Sequence, residues 1–209
     1  MACRSPLRRS GDFYRRKPEM RDERLRLITA AGLVTGALLG MAGSFAPTAA
    51  LRGLAWGIDG TALVVSCALL VVHHLRRGDE LLSAGFLVFL VGESFMVASS
   101  AMHLAASAPI FAGGAALWAA GLALVSLSAS MPTFVRATGA IAAALLGISA
   151  LRILGGGALT PLSKPLPFFA FPFLAATLVG WAWTHMRSLT SQRLGRLDSA
   201  GAERGQETS

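Results

Sequence analysis

Residues 53–105 read GLAWGIDGTALVVSCALLVVHHLRRGDELLSAGFLVFLVGESFMVASSAMHLA. Two apolar runs, 53–74 and 81–105, flank the charged stretch Leu75-Arg76-Arg77-Gly78-Asp79-Glu80. About 20 apolar residues in a helix cross a hydrocarbon layer of about 30 Å, so each run reads as a membrane span. Working outward, four more runs of the same kind follow at 27–45, 110–130, 134–154 and 166–186. The expected fold is all-α, a bundle of six transmembrane helices.

Composition agrees. The 209-residue chain is 54% hydrophobic and 14% charged, against about 25% charge for an ordinary soluble domain. The net charge of +8 would suit nucleic acid, but it is confined to tails and short loops. Attraction to anionic headgroups explains it, so the expected partner is the lipid bilayer and not nucleic acid.

The loops give a direction. Of the 19 Lys and Arg, nine precede Leu27, and Arg76, Arg77, Arg136, Arg187, Arg193, Arg196 and Arg204 fall on the same side of an alternating six-span path. Only Arg52, Arg152 and Lys164 fall on the other. Positive charge stays inside, so both termini are expected in the cytoplasm of a bacterial cell, with the chain multi-pass in the inner membrane. Three parts are expected: a basic tail over 1–26, disordered or lying on the lipid surface; a six-helix domain over 27–187; and a disordered cytoplasmic tail over 188–209. Translation starting at Met20 instead of Met1 would leave this orientation unchanged. The first run resembles a signal peptide, with Ser44-Phe45-Ala46 as a small-x-small site. Its length and Pro47 argue for a retained span.

The connections 46–52, 75–80, 106–109, 131–133 and 155–165 are short, so neighbouring spans should pack antiparallel. No inverted repeat relates 27–105 to 110–186. In the first span Gly32, Gly36 and Gly40 recur every fourth residue, with Gly43 beyond them, and present a flat face to another helix. Either a helix of the same bundle or a second copy of the chain would fit that face. The fifth span repeats the device with Gly139, Ala143 and Gly147.

Charged and polar residues inside the spans are the candidate functional groups, because each is costly in lipid and must be accounted for. Arg52, Asp59, Ser66 and His73 recur every seven residues and form one stripe on the second helix. Asp59 is expected about 9–10 Å below the outer edge, within reach of Arg52 or Arg152, with which it would pair. Glu93 is placed at the bilayer midplane, with Met96, Ser100 and His103 on its face. It is either a hydrogen-bonded structural acid or a proton-coupling site. Pro172 is expected to kink the sixth helix, and Trp181 and Trp183 to anchor it at the inner interface.

The remaining motifs exclude more than they assign. Cys3 and Cys67 have no cysteine or histidine at metal-ligand spacing, and no zinc, phosphate-loop, dinucleotide or hydrolase signature occurs. No cofactor, no metal and no catalysis are expected. The function expected is a non-enzymatic membrane protein that moves or senses a small solute or proton through Glu93, Asp59, Arg152, Ser100 and His103. The alternatives are a bis-histidine haem protein using His73, His74 and His185 at the inner ends of their spans, or a scaffold subunit that oligomerises through the glycines of the first helix.

Overall fold

The structure, a computed structural model, describes the backbone of residues 10–187 and the side chains from residue 23 onward. It is all-helical over those residues. Helices α1 (Ser10–Ser44), α2 (Ala49–Leu75), α3 (Glu80–Ser100), α4 (Leu104–Leu127) and α5 (Thr133–Leu154) are followed by α6 at 170–187. Five of the six contain stretches long and apolar enough to cross a membrane: Glu23–Ser44 within α1, and α2 to α5 entire. The chain is thus built as a multi-pass membrane bundle. The expected tails at 1–9 and 188–209, with Cys3, lie outside the described residues.

Several element ends differ from expectation, each for a local reason. Helix α1 starts at Ser10, so the basic stretch from there to Arg26 is helical; its Arg, Lys, Glu and Met residues favour helix. Helix α3 stops at Ser100, not at 105, and α4 starts at Leu104. The break falls at His103, whose extended backbone (φ −63°, ψ 139°) makes it the N-cap of α4. Pro109 therefore lies inside α4, not in a loop. Helix α6 begins at 170 because Pro165 and Pro167 bring no backbone donors and disfavour helix in the residues before them. Pro172 then falls in the first turn of α6, where its missing N–H has no partner to lose. The expected kink loses its cause.

Consecutive helices pack on one another, and the closest approaches are made at glycines. On α1 the glycine face is spent on α2. A Cβ at Gly32 would strike Ser66 and one at Gly36 would strike Leu63, while one at Gly43 would strike Trp56. A second copy could use this face only by displacing α2. A tighter seam joins α3 to α4. A Cβ at Gly121 would lie 2.7 Å from the Phe89 amide nitrogen and 2.8 Å from the Gly85 carbonyl oxygen, and one at Gly92 would lie 3.0 Å from the Gly114 carbonyl oxygen. These distances bring the two backbones together through glycine alone.

Helix α6 closes the bundle. Its Trp181 is only 2% exposed and meets Phe86 and Phe89 of α3 edge-on, with ring centroids 4.8 and 5.4 Å apart. It is a core residue and not the interfacial anchor expected. Trp183, 41% exposed, carries the Arg187 guanidinium 4.4 Å from its ring centre. Thr177 of α6 donates to Thr138 of α5 at 3.0 Å.

Candidate functional site

Asp59 on α2 and Glu93 on α3 both turn inward, at 7% and 2% exposure, and line one cavity. The cavity measures about 60 Å³, room for a few waters at about 10–15 Å³ each. Three glycines make space for the carboxyls. A Cβ at Gly40 would sit 2.9 Å from Asp59 Oδ2, one at Gly36 3.1 Å from Asp59 Oδ1, and one at Gly60 3.0 Å from Glu93 Oε1. The glycine pattern of α1 therefore does more than bring two helices together. It admits a carboxylate between them.

Three polar atoms of this cavity lack partners. Asp59 Oδ1 and Glu93 Oε2 accept no hydrogen bond among the described residues, and the Trp118 indole N–H donates none. Trp118 lies near enough to act on the Glu93 carboxyl but falls outside hydrogen-bond geometry. The two acids also act on each other electrostatically. Unpaired buried polar groups are rare, and each calls for an explanation. The rest of the wall is aromatic or apolar, with Trp56, Phe111, Phe171, Met41 and Met96.

Arg152 does not pair with Asp59. It sits exposed at the last turn of α5, while Asp79 pairs with His74 at the other end of the bundle. Arg52 instead lies over the Trp56 ring, 5.9 Å from its centre. The charge imbalance of the cavity is therefore left standing. Glu93 is also shallower than expected, since α3 ends at Ser100, about 10 Å beyond it along the helix. It belongs to the half of the bundle nearer the 101–103 connection and shares that level with Asp59.

Ser100 and His103 lie apart from the carboxyl pair. With Arg52 and Ser107 they line a second cavity of about 230 Å³ towards the end of the bundle. Trp56, Ser99 and Pro161 line both cavities and so form the partition. Trp56 is fixed there by its indole N–H, which donates to the Gly40 carbonyl at 3.2 Å. The Ser100 hydroxyl is spent on the Val97 carbonyl at 2.7 Å, as small hydroxyls in helices commonly are.

At the other end of the bundle the histidines cluster as their helix ends suggested. His73 and His185 meet edge to face with ring centroids 4.9 Å apart, and His73 and His74 likewise at 5.2 Å. Arg77 Nη1 lies 3.3 Å from His73 Nε2, and His74 Nδ1 lies 3.3 Å from Asp79 Oδ2. A bis-histidine haem needs its two imidazoles on opposite faces of the macrocycle. In the pairs His73–His74 and His73–His185 the rings pack directly against each other, with no plane between them for a macrocycle. Among the described residues no group of three or more His, Cys, Asp or Glu is placed to hold a metal ion.

Three residues of the site were not singled out by the sequence reading. Trp56 stands three positions before Asp59, one helical turn away on the same face. Trp118 lies deep within its apolar run, away from the interfaces where tryptophan is usual, and that position was its signal. Gly60 gave none. No protein-family model matches the chain, and comparison with curated proteins and with solved structures finds no match either.

Proposed function

We propose that the chain is a non-catalytic, six-span protein of a bacterial inner membrane, with both termini in the cytoplasm, and that Asp59 and Glu93 form a proton-binding pair linked to the movement or sensing of a small solute. The observation that carries this reading is the pair itself: two interior carboxyls in one cavity with no basic partner among the described residues. Two ionised carboxylates cannot stand together in an apolar cavity, so protons or a cation must balance them. The excess of Lys and Arg ahead of α1 and in the 75–80 loop supports the orientation. That orientation makes the Arg52–His103 vestibule the outward approach and Trp56 its inner wall.

Infrared spectroscopy of the full chain in lipid nanodiscs tests the proposal. A protonated-carboxyl band that titrates with pH is expected, with part of it lost in Glu93→Gln and part in Asp59→Asn. A spectrum with no titrating carboxyl, or one unchanged by both substitutions, would contradict a proton-linked role.

A further inference from the structure

We infer that the Asp59–Glu93 cavity binds a small organic monocation, an alkylammonium of a few heavy atoms, in exchange for a carboxyl proton. The inference rests on the proton-linked reading of the same site. The charge of the wall sets the sign of the ligand. Helices α2 and α3 bring Asp59 and Glu93, and α1, α4, α6 and the Pro161 connection bring no charged or titratable side chain to the cavity among the described residues. The Cys67 thiol is the further group close enough to act on Glu93. A neutral solute could not replace the charge of the departing proton, and an anion would add to the repulsion.

The remaining wall sets the class of cation. A hard metal ion asks for a shell of about six or more oxygens. Beyond the carboxyls the side chains of this cavity offer one hydroxyl oxygen, that of Ser99. It offers instead the rings of Trp56, Phe111, Trp118 and Phe171, whose faces attract organic cations. Asp59 Oδ1 and Glu93 Oε2, each on a residue more than nine-tenths buried, are acceptors with no donor among the described residues. An ammonium N–H group supplies what they lack while its methyl groups meet the aromatic wall. The volume of about 60 Å³ limits the ligand to a few heavy atoms. One cation enters as one proton leaves, so the net charge of the cavity is unchanged.

The test is calorimetric titration of the full chain in nanodiscs with methylammonium chloride, and separately with sodium chloride. Saturable methylammonium binding is expected, with release of about one proton and an affinity that falls roughly tenfold per unit of acidification across the titration of the pair. Asp59→Asn and Glu93→Gln should each abolish it while keeping helical circular dichroism. The wild-type isotherms alone decide the matter if a variant fails to fold. Sodium binding without methylammonium binding overturns the inference, as does methylammonium binding independent of pH. Absence of both isotherms beside a titrating infrared carboxyl band overturns the cation assignment and leaves the proton-linked reading intact. Absence of the band as well removes both.

Discussion

A carboxylate inside an apolar run stands out in any sequence, and Asp59 and Glu93 were visible as exceptional for that reason. Their partnership was not. The seven-residue stripe on α2 says which side of that helix Asp59 occupies, but not which helix lies opposite. Arg152 looked like a partner because it falls near the same end of its span, yet it stands exposed at the end of α5. The difference is measurable. Removing one member of a buried ion pair costs about 3–5 kcal/mol. Asp59 is in no such pair, so Asp59→Asn should leave thermal unfolding in detergent unchanged or raise its midpoint, and Arg152→Gln should shift stability by no more than about 0.5 kcal/mol. A loss of several kcal/mol in both variants would restore the ion pair. Trp56 offers a second check. Its indole bond to Gly40 fixes the wall between the two cavities, so Trp56→Ala should speed access of a water-soluble carboxyl reagent to Glu93, read by mass spectrometry of the labelled peptide. An unchanged labelling rate would show that the wall lies elsewhere.

At the level of elements, glycine spacing carried information in one place and hid it in another. The four-residue repeat on α1 announced a close helix contact, and α2 fills it. The tighter seam between α3 and α4 uses Gly85, Gly92, Gly114 and Gly121, two pairs seven residues apart on separate helices, a pattern too sparse to notice within either. The seams differ in what yields to an added side chain. At Gly121 the obstacle is the backbone of Phe89 and Gly85, which cannot move aside. Gly121→Val should therefore cost roughly 1–3 kcal/mol or more. At Gly147 the nearest atom is the Ala119 Cβ at 3.6 Å, and Gly147→Ala should fall within about 0.5 kcal/mol of the parent. Thermal unfolding of both variants checks the contrast; equal losses would refute the seam. Helix ends were misjudged where composition and local geometry disagree. Residues 101–105 are apolar enough to prolong α3, but the extended backbone of His103 stops it. That change of a few residues moved Glu93 to the level of Asp59. Trp181 was misassigned because a tryptophan near a span end can face lipid headgroups or the core, and only the aromatic group of Phe86 and Phe89 opposite decides between them.

For the whole molecule, the number of crossings is the property on which orientation depends. Five helices meet the length and hydropathy of a span, and α6 is shortened at its start by the prolines. The proposed six crossings would return the chain to its starting side, so reporter fusions at the two termini should give the same cytoplasmic signal; opposite signals would make α6 a helix that does not cross. The class of the molecule was legible from apolar runs and loop charges, because lipid imposes both on any sequence. The site was legible only as separate residues, because its cavity is made by α1, α2, α3, α4 and α6 together, and no single helix encodes their meeting. The central claim is that Asp59 and Glu93 share that space. Groups in one cavity titrate as a unit when they interact by about a pH unit or more. The most direct measurement is the infrared titration of the Glu93 carboxyl, identified by its loss in Glu93→Gln, in the parent and in Asp59→Asn. The account predicts that the midpoint moves by about one pH unit or more when Asp59 is neutralised. An identical Glu93 titration in both proteins would contradict it.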